Sequence, residues 1–188
     1  GLGFETAKGL AKMQATVIIA NNEKENSLQA IQNLKTQTNN ENIYFMDLNL
    51  ASLKSISSFV EEFQQRFQRL DILINNAGVL CSNRKLSVDG FEYTFAVNYI
   101  GHAYLSLKLI ELLKASKPSR IIILSSVIHK RGQIIWDDLT LQKSYGSLKA
   151  YAQSKLALFL FSRELNRRIE NQGIKVASLH PGICRTEF

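Results

Sequence analysis

Apolar positions along the chain follow two alternating rhythms. Short runs of consecutive β-branched and aliphatic residues alternate with longer stretches at helical spacing. Thr16-Val17-Ile18-Ile19-Ala20, Ile43-Tyr44-Phe45-Met46, Asp71-Ile72-Leu73-Ile74, Arg120 to Ser126 and Lys175 to Leu179 predict strands. Between them, Glu23 to Lys35 predicts a helix with Leu28, Ile31 and Leu34 on one face. Ala51 to Phe67 predicts a second, striped by Leu53, Ile56, Phe59, Val60, Phe63 and Phe67. Phe91 to Ala115 and Ala150 to Glu170 predict two more, and Phe4 to Met13 an opening one.

Strands that are apolar on both faces and alternate with helices predict an α/β fold. Its parallel sheet is doubly wound, with helices on either side. Pro118 and Pro181 are the only prolines, and each falls at an element boundary. No linker or repeat interrupts the pattern, which predicts a single domain over residues 1–188. Gly1-Leu2-Gly3 runs straight into a helix, whereas a glycine turn of this kind ordinarily follows a strand. The expectation is therefore the interior of a longer protein. It lacks the sheet's first strand, so marginal stability is expected of residues 1–188 alone.

Composition narrows the class. Of 188 residues, 45% are hydrophobic and 21% charged, which excludes a disordered or fibrous chain. Two distant cysteines, Cys81 and Cys184, exclude a disulfide framework and a cysteine-based zinc site. No H-x-x-x-H pair or Cys/His cluster supports a metal. The longest apolar run, Leu156 to Phe161, is far below the roughly 18 residues a membrane span needs. The net charge of +7 is uneven: residues 1–94 carry 9 basic and 10 acidic side chains, residues 95–188 carry 14 and 6. A basic half suits nucleic acid, an anionic surface, a phosphorylated ligand or simply solvent. The interleaving of aromatic and basic residues typical of single-strand binding is absent.

Four places carry candidate chemistry. Gly1-x-Gly3 opens a helix, where backbone N–H groups and the helix dipole favour a pyrophosphate, or where a plain turn sits. Asn75-Asn76-Ala77-Gly78 directly follows a strand, on the side where parallel sheets hold ligands; an ordinary Asn/Gly turn is the alternative. Ser125-Ser126 ends the most apolar strand and directs two hydroxyls toward the same crevice. Tyr151 and Lys155 are four apart on a helix and share a face. A neighbouring ammonium lowers a phenol's pKa, which would make Tyr151 a general acid/base. Tyr145 and Lys149 repeat the spacing, but Gly146 and Ser147 between them argue against a helix there.

Together these residues resemble the short-chain dehydrogenase/reductases, in that family's order and over essentially the whole chain. Gly1-Leu2-Gly3 looks like the end of the T-G-x-x-x-G-x-G loop, and Asp47-Leu48 like the acidic-aliphatic pair near the adenine. Asn75 to Gly78 is the N-N-A-G motif. Asn98, Ser126, Tyr151 and Lys155 match the catalytic tetrad, and Pro181-Gly182 with Thr186 the P-G-x-x-x-T segment. Tyr151 lies 25 positions after Ser126, the longer spacing of retinol-dehydrogenase-like members. Trp136 to Leu139 and Leu86 to Glu92 resemble the same subgroup. Residues 17–22 and 150–156 look most like its X-linked dehydrogenase/reductase branch.

The resemblance implies a Rossmann-type fold and hydride transfer between NAD(P)(H) and a lipophilic alcohol or carbonyl, retinoid, polyprenoid or steroid-like. Tyr151 would exchange the proton, and Lys155 would hold the ribose and lower the Tyr151 pKa. Ser126 would bind the substrate oxygen, and Asn98 would support a water relaying protons to Lys155. Gly1, Leu2, Gly3, Asn22, Asp47, Leu48, Asn75, Ala77, Gly78, Pro181, Gly182 and Thr186 would line the cofactor, with Tyr151 and Lys155 contributing. Asn21-Asn22 replaces the basic or acidic residue that sets cofactor choice in relatives, so NADP and NAD stay open, with the positive charge tilting toward NADP. A cofactor-binding regulatory or scaffold protein without catalysis is the alternative, which an intact tetrad disfavours. The C-terminal substrate region would lie beyond Phe188. Membrane association through absent segments, homo-oligomerisation, and a cytoplasmic or endoplasmic-reticulum location all stay open; no nucleic-acid partner is implied. His102 and His180 read as core or loop residues, and His129 receives no role.

Overall fold

Helix α1 (Leu2–Lys12), strand β1 (Val17–Asn21), helix α2 (Lys24–Thr38) and strand β2 (Ile43–Asp47) open the computed structural model, which describes residues 1–182. β1 and β2 pair in parallel, Val17 opposite Ile43 and Asn21 opposite Asp47. Ala7, Ala11, Val17, Ile31, Leu34 and Ile43 form the core beneath them. α2 ends at Asn39, whose left-handed backbone (φ 51°) turns the chain toward β2. Buried Asn40 then fastens the turn. Its amide donates to the carbonyls of Ala11 (3.0 Å) and Ala15 (2.9 Å) and accepts from Asn42 N–H (2.8 Å).

Chain contacts separate residues 1–49 from residues 50–182 as two compact units. The second begins with α3 (Leu53–Arg66), capped by the Ser52 hydroxyl, which accepts from Ser55 N–H. Its apolar stripe of Ile56, Phe59, Val60 and Phe63 is buried as the spacing predicts. Strand β3 (Ile72–Asn75) leads through a loop to α4 (Tyr93–Phe95), a π-helical stretch (Ala96–Gly101) and α5 (His102–Lys108). α6 (Ile110–Ala115), β4 (Ser119–Leu124), a 3₁₀ turn (Val127–Arg131), α7 (Ser147–Ile169) and β5 (Ile174–Leu179) complete it.

The named strands pair in parallel, in a two-stranded sheet β1–β2 and a three-stranded sheet β3–β4–β5, and an isolated antiparallel bridge joins Leu86 and Glu92. Burial follows position. In central β4, Ile121, Ile123 and Leu124 are buried and Ile122 half-buried, whereas in β5, paired on one side, Lys175, Ala177 and Leu179 are exposed. The expectation of strands apolar on both faces therefore holds for residues 121–124 of β4, past the exposed Arg120, and not for β5. α7 starts at Ser147, three residues before the predicted start, and β4 stops at Leu124, before the serine pair. The long helical region 91–115 is broken by the π-helical stretch and again at Leu109. Among the described residues, no helix is long and apolar enough to cross a membrane.

Candidate active site

Tyr151 and Lys155 sit on consecutive turns of α7. Lys155 is 4% exposed, and its ammonium lies 5.6 Å from the centroid of the Tyr151 ring. It donates to the carbonyl of Leu124 at the end of β4 (2.9 Å). Burial alone lowers the Lys155 pKa to about 8, because desolvation disfavours the ammonium. Ser125 donates back to the Lys155 carbonyl (3.5 Å), so the end of β4 and the middle of α7 are joined by two hydrogen bonds.

Ser126 leaves the strand in an extended conformation and caps the 3₁₀ turn, its hydroxyl accepting from Ile128 N–H (3.4 Å). The same side chain faces Tyr151 closely enough to favour its phenolate. The two serines thus diverge: Ser125 points to the Lys155 backbone and only Ser126 reaches Tyr151. This corrects the expectation that both hydroxyls serve one crevice. Once β4 ends, the extended-to-3₁₀ bend turns the second serine toward α7.

Asn98 lies in the π-helical stretch and is fully buried. Its side-chain oxygen accepts from Val79 N–H (2.8 Å), and its amide donates to the Val79 carbonyl (3.0 Å) and to Ser154 (3.0 Å). Ser154 in turn donates to the Tyr151 carbonyl (2.8 Å). Asn98 therefore braces the loop after β3 against the turn of α7 that carries Tyr151. Its main-chain carbonyl accepts from His102 Nδ1 (3.2 Å), which makes Nδ1 the protonated nitrogen. Burial first, and the Lys155 charge second, push His102 down to about 4, so the ring is neutral near pH 7.

The expected influence of Lys155 on Tyr151 is not what this arrangement produces. The Tyr151 pKa is raised, because partial burial disfavours the phenolate by more than the Ser126 hydrogen bond favours it. Spacing placed the ammonium correctly on the helix face; it carried no information about burial.

Asn75 ends β3, buried, with its amide on Ser106 (2.8 Å), and the side-chain oxygens of Asn75 and Asn76 are buried without a partner. Ala77 is exposed and Gly78 half-buried in the loop beyond. In residues 1–49, Gly1 precedes α1 with no side-chain cap, leaving first-turn N–H groups for an anion. Asn21 is occupied: its oxygen accepts from Glu23 N–H (2.9 Å) and Ser27 (2.8 Å), fixing the start of α2. Asn22 and Asp47 are exposed, and Leu48 is buried with its N–H on the Asn21 carbonyl (3.0 Å). Pro181 and Gly182 follow β5; Thr186 and Cys184 lie outside the described residues. Cys81 is a half-buried free thiol, and no cluster that could hold a metal occurs among the described residues.

Three further residues support the site. Gln153, 1% exposed on α7, accepts from Ile135 N–H (3.0 Å) and donates to the Leu139 carbonyl (3.1 Å), pinning the loop between Ser126 and Tyr151. Ser154 links Asn98 to Tyr151, and His129 sits beneath Ser126. Ser154 was readable in principle, since it shares the helix face of Tyr151 and Lys155. The roles of Gln153 and His129 depend on loop contacts that no periodicity encodes.

The short chain dehydrogenase family matches residues 1–188, the whole chain. The chain belongs to the short-chain dehydrogenase family. Within it, retinol dehydrogenase 13 of Homo sapiens is 45% identical over 189 residues, covering all of this chain and 57% of that protein. Retinol dehydrogenase 12 of Mus musculus is 41% identical over 188 residues, covering 60% of its length. The chain thus falls in the retinol-dehydrogenase-like subgroup of the short-chain dehydrogenases and spans somewhat over half the length of these relatives. Among solved structures, an uncharacterized protein from Mycobacterium paratuberculosis matches with a TM-score of 0.85 at 33% identity, covering all of this chain and 66% of that one. A short chain dehydrogenase from Burkholderia cenocepacia in complex with NADP matches with a TM-score of 0.79 at 24% identity, covering all of this chain and 71% of that one. The second shares the short-chain dehydrogenase fold.

Proposed function

We propose that the protein is an oxidoreductase that transfers a hydride between NAD(P)(H) and a carbonyl or alcohol. The observation that carries this reading is the joint placement of three side chains. Ser126 faces Tyr151, and a buried Lys155 ammonium lies 5.6 Å from the centroid of the same ring. The donor set also fits a nicotinamide dinucleotide. Buried acceptors on Asn75 and Asn76 await donors, and the Lys155 ammonium has hydrogens beyond the one given to Leu124. Residues 1–188 are taken as one NAD(P)-binding domain, since the family match runs across all of them.

A bound nicotinamide would supply the hydride chemistry. The chain's residues would handle the rest. Tyr151, a neutral phenol at pH 7, would give its proton to the carbonyl oxygen in reduction. Ser126 would donate a hydrogen bond to that oxygen. Lys155 would hold a ribose hydroxyl. Asn98 would keep the Tyr151 turn and the Val79 loop in register; its side-chain amide is committed to that bracing, so a proton relay would draw on its main-chain carbonyl. The raised Tyr151 pKa keeps the ring a neutral phenol, the form that donates a proton in reduction.

The substrate class follows the retinol dehydrogenase relatives: a small lipophilic alcohol or carbonyl, retinoid, polyprenoid or steroid-like. Cofactor choice rests on exposed Asn22, since Asn21 is occupied; the net positive charge favours NADP. The test follows nicotinamide absorbance with NADPH and NADH against retinaldehyde, a polyprenal and a steroid ketone, beside Tyr151→Phe. Turnover that disappears in Tyr151→Phe is the expected result. Tight cofactor binding without turnover of any carbonyl would instead indicate a regulatory protein.

A further inference from the structure

His129 is the one imidazole placed against the reactive serine, and nothing in the reaction as described uses it. Its Nδ1 lies 2.6 Å from the Ser126 carbonyl. A carbonyl only accepts, so Nδ1 carries the hydrogen and donates it. The ring stacks on Phe159 of α7, with centroids 4.5 Å apart and planes 22° from parallel. Two turns of helix separate Phe159 from Tyr151. The imidazole therefore ties the backbone of Ser126 to the helix that holds Tyr151.

A second feature brings the same turn onto the same helix. Gly132 ends the 3₁₀ turn, and a Cβ there would collide with the Ala152 carbonyl and lie 2.9 Å from the Leu156 side chain. The glycine allows the turn to lie directly on the α7 backbone beside Tyr151. Between these two anchors the Ser126 backbone has little freedom. Only its side-chain torsion remains, and the contact with Ile128 N–H limits that.

We propose that His129 is a positioning residue that holds Ser126 in hydrogen-bonding register with Tyr151. It touches neither substrate nor cofactor; it acts through the serine. The proposal rests on the reading of Tyr151 and Ser126 given above. Its two contacts are separable by substitution. His129→Phe keeps a ring for the Phe159 stack and removes the donor. His129→Asn keeps an amide donor near the Nδ1 position and removes the stack.

The experiment measures kcat and KM for the best carbonyl of the panel in the full-length protein, with thermal melts as the check on folding. His129→Phe is expected to lower kcat roughly tenfold, the size of one lost hydrogen bond, at unchanged nicotinamide KM. His129→Asn is expected to stay within about threefold of the parent despite a lower melting temperature. In a Ser126→Ala background, His129→Phe should have no further effect, because its route to the chemistry is gone. A parental kcat in His129→Phe, equal losses in the Phe and Asn variants, or an undiminished effect in Ser126→Ala would each overturn the proposal. If Tyr151→Phe remains active, the reading beneath it fails. If Tyr151→Phe is dead and His129→Phe is not, only the His129 proposal fails.

Discussion

Residues 145–149 and 151–155 carry the same Tyr-x-x-x-Lys spacing, and the chain treats them differently. Tyr145 precedes α7, and its hydroxyl donates to the Cys81 carbonyl (2.7 Å). Lys149 is exposed on the first turn and donates to the Ser144 carbonyl (3.1 Å). The phenol and the ammonium of this pair serve separate stretches of backbone. Tyr151 and Lys155 both lie inside the helix, with the ammonium buried against Leu124 and the phenol facing Ser126. Equal spacing therefore produced one pair spent on separate backbone contacts and one pair held together within the helix. What separates them is the helix start at Ser147 and the burial of the lysine.

The sharpest way to break this comparison is to remove each phenol. Tyr151→Phe should lower turnover by about 10²–10⁴-fold, the range of general acid catalysis, while Tyr145→Phe stays within about threefold. Steady-state rates on the two variants measure it directly; comparable losses would erase the distinction.

Next in size are two pH effects peculiar to the buried pair. Lys155 gives up its proton near pH 8 when folded and near 10.5 when unfolded. Between those values the unfolded chain binds more protons, so stability rises with pH through that window by about 3 kcal/mol. Lys155→Met should remove this rise in denaturant titrations at pH 7.5 and about 10. His102 works at the acid end. Folded it stays neutral down to about 4, while unfolded it takes up a proton near 6.5. Stability should therefore fall by about 3 kcal/mol as pH drops from 6.5 to 4, and His102→Gln should flatten that part of the curve. A buried site wet enough to ionise freely would show neither effect.

A smaller change sharpens the comparison at the turn that lies on the helix beside Tyr151. Gly132→Ala should cost about 1–3 kcal/mol, because the new methyl meets the Ala152 backbone carbonyl, which cannot yield as a side chain would. The loss is expected in melting temperature and in kcat together, since the displaced turn begins at Ser126.

Much of this was legible in the sequence. Ile56, Phe59, Val60 and Phe63 announced a buried helix face, and Ile121 to Leu124 the most buried strand, because periodicity records burial directly. Motif order named Asn98, Ser126, Tyr151 and Lys155 as candidates, and the fold links Asn98 through Ser154 to the turn of Tyr151, with the Lys155 ammonium 5.6 Å from the Tyr151 ring. The direction of the Tyr151 pKa was not, since it depends on how much water reaches the ring. Nor was the commitment of Asn21 to α2, or the grip of Gln153 on residues 135–139. Each depends on hydrogen bonds to particular backbone or side-chain atoms, which one-letter patterns do not name.

The π-helical stretch carries a consequence for residue counting. A π turn holds one residue more than an α turn, so Ala96–Gly101 stores a surplus position between α4 and α5. Removing that surplus would let the segment close into ordinary α-helix, with its two ends near their present phase and Ser106 still toward Asn75. The residues inside the wide turn would be re-aimed instead, Asn98 with its contacts to Val79 and Ser154 among them.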